Sequence, residues 1–293
     1  MTLILTLMRP GEGVWQTVDA RVTARGKLVD DFAFKQVSVH RADGTLLLAY
    51  TGLAELHPSG ESMFDWIRST IRGENRNSEG DLLHLRERLN RDVARSRYAR
   101  VPVIIVAVGV LGVRPDANTP LQDRRMVRWI LTNLTWPNGP TRPARVVREF
   151  QLEGEWVDKP VGFSLGSGSN PVLRSPSDLA LLRRGLEHRP NKPLDYLGLL
   201  AAVNRRVAPL AGGTVSPWCS GTYMPEIGQE LQSRSFSERG DPESPHPIGI
   251  DAIVFGIDLT ESTRHLRQQL TASLKGQPTP PEFDSSRMLA PRP

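Results

Sequence analysis

The first fifty residues alternate short apolar runs with tight turns, and this pattern limits the fold more than any other feature of the chain. Leu3–Leu7 predicts a strand that is apolar on both faces and therefore buried. Pro10 and the glycines at 11 and 13 predict a turn into a returning strand at Val14–Val18, because proline fixes φ and glycine permits positive φ. Asp43-Gly44, between two further apolar runs, predicts a second hairpin. Such short connections favour an antiparallel sheet.

Helical and strand patterns alternate from there to residue 223. Apolar residues at helical spacing predict helices at 63–71, 81–97, 177–187 and 194–210. Runs rich in Val and Ile, or alternating in polarity, predict strands at 101–113, 145–152, 161–165 and 214–223. This order predicts an α+β fold in which two sheets stack between two helical layers, a four-layer αββα sandwich with a C-terminal extension.

The chain changes character at residue 225. Prolines at 242, 245 and 247 indicate a linker or long surface loop, followed by an expected strand at 250–257 and helix at 261–274. The end is rich in proline and poor in apolar residues, so we expect disorder there. We therefore divide the chain into a core at 1–224, an extension at 225–275 and a disordered tail at 276–293.

Composition argues against several classes of protein. The longest apolar run, 101–113, is shorter than the roughly 20 residues that a membrane-spanning helix needs, and the first residues lack the positive region of a signal peptide. We expect a cytoplasmic protein with no membrane partner. The single cysteine, Cys219, excludes an intramolecular disulfide, and the six histidines lack metal-ligand spacing. We therefore expect no metal and no cofactor.

The positive charge raises the question of a nucleic-acid partner. Lys and Arg exceed Asp and Glu by 37 to 32, a formal charge of +5. The arginines are spread between 114 and 148, and no zinc-finger, RNA-recognition or helix-turn-helix motif is present. A solvated basic face is favoured, and nucleic-acid binding stays an alternative whose mark would be an affinity that falls steeply with salt.

Thr2 is the first candidate for chemistry. Met1 is normally removed before a small residue, which would make Thr2 the N-terminal residue. An N-terminal threonine combines a nucleophilic hydroxyl with an amine that can take its proton, and such an amine has an ordinary pKa of about 8. Taken alone, a chain that begins Met-Thr is no evidence of catalysis.

Two further positions change that view. Asp19-Ala20-Arg21-Val22-Thr23 follows the first hairpin, and Lys35 begins the next strand. Here the chain resembles the N-terminal-nucleophile (Ntn) hydrolases, in particular the proteasome β-subunits and the HslV-like threonine peptidases, which have an N-terminal Thr, an Asp-x-Arg/Gln-x-Thr segment and then a Lys. Each spacing from Thr2 is one residue longer than is usual in that family. One extra residue in the Gly11–Gly13 turn would account for both.

The resemblance extends over residues 2–224. The strand and small-residue turn at 44–54, with the helix after it, are similar to the family's, as are Gly166-Ser167-Gly168-Ser169 and the closing Gly212-Gly213. The loops between residues 75 and 160 do not match. The family's Asp and Ser just before the closing glycines have Ala208 and Ala211 at the corresponding positions here.

The resemblance implies a role for each motif residue. Thr2 would be the nucleophile and its amine the general base. Lys35 would lower their pKa values, and Asp19 would hold Lys35 in place. The N–H of Gly52 would face the oxyanion, and Ser167 would orient the Thr2 amine. Residues lining the substrate pocket would be Tyr50, Ala54 and Ala33.

The implied function is hydrolysis of peptide or amide bonds. Relatives form rings, so the resemblance implies a homo-oligomer that acts on peptides or unfolded polypeptide, with an ATPase as a further partner. One alternative is a smaller oligomer acting on small amides. Another is a scaffold or binding protein that has lost catalysis, as the alanines at 208 and 211 suggest. Read separately, the Asp19–Arg21 segment is an ordinary ion pair, Lys35 a solvated charge and 166–169 a flexible turn. Cys219 is interpreted as a buried structural thiol, with a reactive thiol as the alternative.

Overall fold

A computed structural model describes residues 2–24, 27–30, 33–56, 60–74, 76–94, 96, 98–113, 122–135, 144–187, 192, 194–227, 231–237, 252–254 and 257–259. The strands are β1 (Leu3–Arg9), β2 (Gly13–Asp19), β3 (Val22–Ala24), β4 (Lys27–Asp30), β5 (Gln36–Arg41), β6 (Gly44–Thr51), β7 (Glu55–Leu56), β8 (Glu61–Ser62), β9 (Ile104–Val113), β10 (Gln122–Thr135), β11 (Arg145–Val157), β12 (Val161–Gly166), β13 (Cys219–Pro225), β14 (Gln232–Phe236), β15 (Ala252–Val254) and β16 (Ile257–Asp258). The helices are α1 (Met63–Ile71), α2 (Ser78–Asp92), α3 (Ser169–Arg174), α4 (Pro176–Glu187) and α5 (Asp195–Val207), with a 3₁₀ helix at Ala208–Ala211.

The first sheet has five antiparallel strands in the order β12-β1-β2-β13-β14. The predicted first hairpin is confirmed, since β1 pairs with β2 from Ile4↔Val18 to Arg9↔Gly13. Every residue of both strands is buried, as the apolar pattern predicted for β1. The N-terminal strand therefore lies inside the sheet, with a neighbour on each side.

The second sheet has seven strands in the order β11-β10-β9-β6-β5-β15-β16, and only β15 runs parallel to its neighbour, β5. The predicted Asp43-Gly44 hairpin is confirmed between β5 and β6. A Cβ on Gly44 would lie 2.1 Å from the Val110 carbonyl oxygen, so glycine is what permits β9 to approach here.

Three buried clusters hold these elements together. One lies between the two sheets and includes Ile4, Val18, Ala49 and Val106. Each of the other two joins helices to one sheet. Residues of α1 and α2 pack on the seven-stranded sheet, and residues of α4 and α5 pack on the five-stranded sheet. The helices are thus amphipathic elements that bury one face against a sheet.

The prediction of a four-layer αββα sandwich was wrong. In the part of the chain that the structure describes, two large, mostly antiparallel sheets dominate, 47% of the residues are in strands and 29% in helices, and there are five α-helices. The middle of the chain is one reason, because β10 and β11 are 14 and 13 residues long and extend one sheet well beyond the expected strands. The segment after residue 225 is another, because it adds β14 to one sheet and β15 and β16 to the other.

Of the predicted helix starts, one is confirmed and one is displaced. The cap of α1 is confirmed, since the Ser62 hydroxyl accepts a hydrogen bond from the N–H of Asp65. The second helix begins three residues earlier than expected, capped by Asn77, and α3 was not predicted. The expected helix at 261–274 and tail at 276–293 lie outside the described residues. Within the described residues, no helix is both long and apolar enough to span a membrane.

Candidate functional site

Three buried polar side chains from the first 35 residues meet at the start of β1. The Lys35 ammonium donates a hydrogen bond to the Thr2 hydroxyl oxygen (Nζ–Oγ1 2.9 Å) and lies 3.3 Å from Oδ1 of Asp19. Thr2 and Lys35 are each 2% exposed, and Asp19 is 1% exposed. The structure thus brings together the threonine, lysine and aspartate that the motif singled out.

The Asp19 carboxylate is held by three backbone N–H groups. Asp19 ends β2, which lies between β1 and β13. Its Oδ1 accepts from the N–H of Leu3 (2.7 Å), and its Oδ2 accepts from those of Arg21 (3.0 Å) and Ser216 (3.1 Å). These donors satisfy the oxygens of a buried carboxylate. Asp19 therefore ties β1, β2 and the segment before β13 to one point.

The buried charge of Lys35 is compensated at close range. Its ammonium donates to the carbonyl oxygen of Arg21 as well as to Thr2 and Asp19. These three acceptors match the three N–H donors of an ammonium group. Burying an ammonium is costly unless a counter-charge and hydrogen bonds offset it, and this arrangement supplies both. The result is a buried ammonium hydrogen-bonded to the Thr2 hydroxyl.

The glycine-serine turn lies against Thr2. Gly166 has a φ of +93°, and a Cβ there would lie 2.0 Å from the Thr2 carbonyl oxygen, so only glycine allows this approach. The N–H of Gly168 is 3.5 Å from the same oxygen. Ser167 lies between these glycines, and its hydroxyl is hydrogen-bonded to Thr214 (Oγ–Oγ1 3.2 Å). The implied bond from Ser167 to the Thr2 amine stays a prediction.

Gly52 follows the end of β6 in a conformation that favours glycine. Its φ is +109°, and a Cβ would lie 1.9 Å from the Pro102 carbonyl oxygen. The preceding hydroxyl, Oγ1 of Thr51, would lie 3.1 Å from a Cβ on Gly166. The end of β6 therefore meets the turn that contacts Thr2. That the Gly52 N–H faces an oxyanion stays a prediction.

The three expected pocket residues have different surroundings. Tyr50 is 4% exposed and belongs to the cluster under α1 and α2, and burial raises its pKa, with the nearby carboxylate of Asp65 adding to the effect. Ala33 and Ala54 are half-buried. The Ala33 N–H donates to the carbonyl of Ala20 (2.9 Å), and the Ala54 carbonyl accepts from the N–H of Met63 (2.9 Å). That these three residues line a substrate pocket stays a prediction.

Sequence reasoning missed two residues that the site uses. Ser216 contributes a backbone N–H to Asp19, and Thr214 contributes a hydroxyl to Ser167. Both follow the Gly212-Gly213 pair, where φ is +58° and +75°. For Thr214, a polar residue directly after a glycine pair that breaks a helix was the available signal, because such a turn sends the chain back toward the sheet.

The single cysteine lies in a hydrophobic cluster of the core. Cys219 is 3% exposed, and burial raises its pKa to about 12, with the Asp19 charge as a second cause. Its thiol is therefore protonated at neutral pH and is a poor nucleophile. Among the residues that the structure describes, no group of three or more His, Cys, Asp and Glu is placed to hold a metal ion.

Several of the arginines between 114 and 148 are engaged within the protein. Arg128 pairs with Glu155 (2.5 Å), Arg125 lies over the Trp156 ring at 4.4 Å, and Arg124 donates to a backbone carbonyl. Arg114 and Arg142 lie outside the described residues. A groove of about 750 Å³ between α2 and β11 shares no residue with the Thr2 site.

Comparison with known proteins returned nothing similar in sequence: no protein-family model matches the chain, and no curated protein matches it. The resemblance to the Ntn hydrolases therefore depends on the motif residues alone.

Proposed function

We propose that this protein is an amide-bond hydrolase whose nucleophile is the N-terminal threonine left when Met1 is removed. One observation carries the proposal: the Lys35 ammonium donates to the Thr2 hydroxyl at 2.9 Å while a buried carboxylate holds it from behind. Buried charges next to a nucleophile are typical of catalytic sites.

The chemistry follows from the groups present. The Thr2 Oγ attacks the carbonyl carbon of the substrate, and its proton passes to the Thr2 amine. Lys35 stays protonated and stabilises the negative charge as it develops on Oγ. The tetrahedral intermediate collapses as the C–N bond breaks, and the amine returns the proton to the leaving nitrogen. Water, deprotonated by the same amine, then hydrolyses the ester that joins the acyl group to Thr2.

The Asp19 carboxylate acts on this chemistry through Lys35. It lies 3.3 Å from the ammonium, and without it the ammonium would be an uncompensated charge inside the protein. Loss of the negative charge would favour a neutral lysine, which stabilises an alkoxide less. Asp19 is therefore a positioning residue in the proposed reaction. The substrates we propose are peptides or unfolded polypeptide, cleaved by a homo-oligomer.

The test begins with the mass of the purified protein. We expect loss of Met1, cleavage of members of a fluorogenic peptide panel, and covalent modification of Thr2 by an electrophile directed at N-terminal threonines. Thr2→Ala still permits removal of Met1 but should abolish cleavage and labelling, whereas Thr2→Ser should retain both. Thr70→Ala is the matched control, because Thr70 is also buried, at 4% exposed, and lies in α1 away from the site. Intact Met1, or undiminished cleavage by the Thr2→Ala variant, would refute the proposal.

A scaffold without catalysis is the second candidate. The 3₁₀ helix Ala208–Ala211 favours it, because alanine at both ends of that helix offers the site no polar side chain. The scaffold predicts a Thr2→Ala variant with unchanged oligomeric state and no activity to lose. Light scattering on the wild-type protein and the Thr2→Ala variant, run beside the peptide panel, separates the two functions.

A further inference from the structure

A row of polar side chains crosses the five-stranded sheet on the face that meets the other sheet. Four residues on adjacent strands lie directly opposite one another: Thr6 in β1, Gln16 in β2, Thr222 in β13 and Ser233 in β14. The first three are at most 3% exposed. Residues two positions away along these strands belong to the apolar cluster between the sheets, namely Ile4, Met8, Val14, Val18 and Met224. Polar groups in such surroundings are costly unless they are hydrogen-bonded.

Gln36 of the other sheet inserts into this row. It is the first residue of β5. Its Nε2 donates to Oε1 of Gln16 (2.7 Å), and its Oε1 accepts from the hydroxyl of Thr222 (2.7 Å). One side chain of the seven-stranded sheet is thus joined by two short hydrogen bonds to two strands of the five-stranded sheet, β2 and β13.

Each member of this network has a partner. The Thr222 hydroxyl gives its single proton to Gln36, so its contact with Ser233 (2.8 Å) uses the Ser233 proton. Gln16 accepts at Oε1 and donates from Nε2 to the Thr6 hydroxyl (3.3 Å). A hydrogen-bonded network inside an apolar interface fixes the alignment of its elements, because another alignment would leave buried polar groups unpaired.

Lys35 directly precedes Gln36, and its side chain also reaches from one sheet to the other. The ammonium bonds to Thr2 and Asp19, whereas the Lys35 carbonyl accepts from the N–H of Tyr50 in β6 (3.3 Å). We propose that Gln36 is a positioning residue that holds the Lys35 ammonium at the Thr2 hydroxyl, because it fixes the backbone next to Lys35 against β2, the strand that ends in Asp19. The inference rests on the proposed function, in which Lys35 stabilises the charge that develops on the Thr2 oxygen.

The pKa of the Thr2 amine reports where the ammonium lies. The Thr2 nitrogen is joined to its hydroxyl oxygen through Cα and Cβ, so an ammonium 2.9 Å from that oxygen is also close to the nitrogen. At an effective dielectric constant of about 20, an ammonium at roughly 5 Å lowers the pKa of an amine by about 2 units, and one further ångström of separation restores about 0.4 unit. The Asp19 carboxylate and the Arg21 guanidinium also hydrogen-bond to backbone groups outside β5, so they stay in place when Gln36 is changed.

The experiment measures this pKa by competitive acetylation and mass spectrometry, on full-length protein that begins at Thr2. If Met1 is retained, cleavage of an N-terminal fusion directly before Thr2 supplies that end. Gln36→Met keeps the length of the side chain and removes both hydrogen bonds between the sheets. We expect it to raise the amine pKa by about 0.4 unit. We also expect kcat for a cleaved peptide to fall about fivefold with KM little changed, the factor that one hydrogen bond of ordinary strength corresponds to.

Thr6→Val is the matched control, because it removes a hydroxyl from the same buried row but leaves Gln36 joined to β2 and β13. It should lower the free energy of unfolding and leave the amine pKa and kcat unchanged. Thr222→Val removes one of the two hydrogen bonds of Gln36 and should raise the pKa by a smaller amount. This variant takes the place of Gln36→Met if the latter does not fold.

A double-mutant cycle with Lys35→Met separates positioning from a structural role. Lys35→Met alone should raise the amine pKa by about 2 units, and adding Gln36→Met should change nothing further. An equal shift by Gln36→Met in both backgrounds, a shift as large from Thr6→Val, or an unchanged pKa would overturn the inference. The pKa measurement needs no activity, so failure here is distinct from failure of the proposed function, which the Thr2→Ala variant decides.

Discussion

The Asp19–Lys35 pair predicts an asymmetry in stability that follows from its hydrogen bonds. Asp19→Asn keeps the size of the side chain but removes its charge and turns one acceptor oxygen into a donor. Either orientation of the amide then directs an NH₂ group at backbone N–H groups that need an acceptor. Lys35→Met removes the ammonium and leaves the carboxylate with its three backbone donors.

The two variants should therefore differ clearly in free energy of unfolding. Removing one partner of a buried ion pair costs about 3–5 kcal/mol when the other charge is left uncompensated, which is the case for Asp19→Asn. For Lys35→Met the remaining charge is still solvated by backbone N–H groups, so the loss should be about 1–2 kcal/mol, as for one or two hydrogen bonds. Domains of ordinary stability have a free energy of unfolding of about 5–15 kcal/mol, so the Asp19→Asn variant should retain little stability.

Urea unfolding followed by tryptophan fluorescence measures both values. The midpoint should shift further for Asp19→Asn than for Lys35→Met at an unchanged slope, since an altered slope would signal a change in the unfolded or native ensemble. The double variant should be more stable than Asp19→Asn alone, because no buried charge then remains. The reasoning fails if Lys35→Met costs as much as Asp19→Asn, or if the double variant shows no recovery.

Three further predictions concern other parts of the molecule. Burial raises the pKa of Asp81 to about 6 although Arg41 donates two hydrogen bonds to it. Its contribution to stability is therefore full below about pH 4 and is lost as the pH rises through about 6, by up to about 3 kcal/mol. Asp81→Asn should remove this pH dependence from urea unfolding, and an unchanged difference between wild type and variant from pH 4 to 8 would contradict it. The Cys219 thiol should resist iodoacetamide in the native protein at pH 7.5 and react once the protein is denatured, because it is 3% exposed and protonated. Alkylation at equal rates in the native and denatured protein would contradict this prediction. Ile253→Ala should cost about 2–4 kcal/mol and its neighbour Ile257→Ala much less, because the first side chain is 0% and the second 38% exposed.

The part of the site that could be predicted is the part that the order of residues encodes. A threonine at position 2, an aspartate after the first hairpin and a lysine before the next strand are local signals, and the hairpins that bring them together were predicted from turn residues. The contribution of Ser216 is different, because it is a backbone N–H whose position depends on how β13 pairs with β2. No residue type at position 216 could have predicted this hydrogen bond to Asp19.

Two long strands show why the fold was harder to predict from the sequence than the site residues. β10 was not predicted, and β11 was predicted too short. Within β10, Gln122–Thr135, charged residues occupy much of the first half, and β11 is mostly exposed along its length. The second half of β11, at 153–157, lacks the apolar alternation that predicts its first half, because β11 is the edge of its sheet and buries few side chains. β10 pairs with β9 and β11 pairs with β10, and these partners lie outside any local window.

The Thr2–Lys35 contact joins the two sheets, which explains why no local motif determines its geometry. Thr2 leads into β1 of the five-stranded sheet, and Lys35 directly precedes β5 of the seven-stranded sheet. The 2.9 Å between Oγ1 and Nζ is therefore set by how closely the sheets pack, through the buried cluster between them. Interiors are packed tightly enough that the loss of a few methyl groups is felt by neighbouring elements. The reactivity proposed for Thr2 is consequently a property of the whole interface between the sheets, with Asp19 fixing one side and β5 carrying the other.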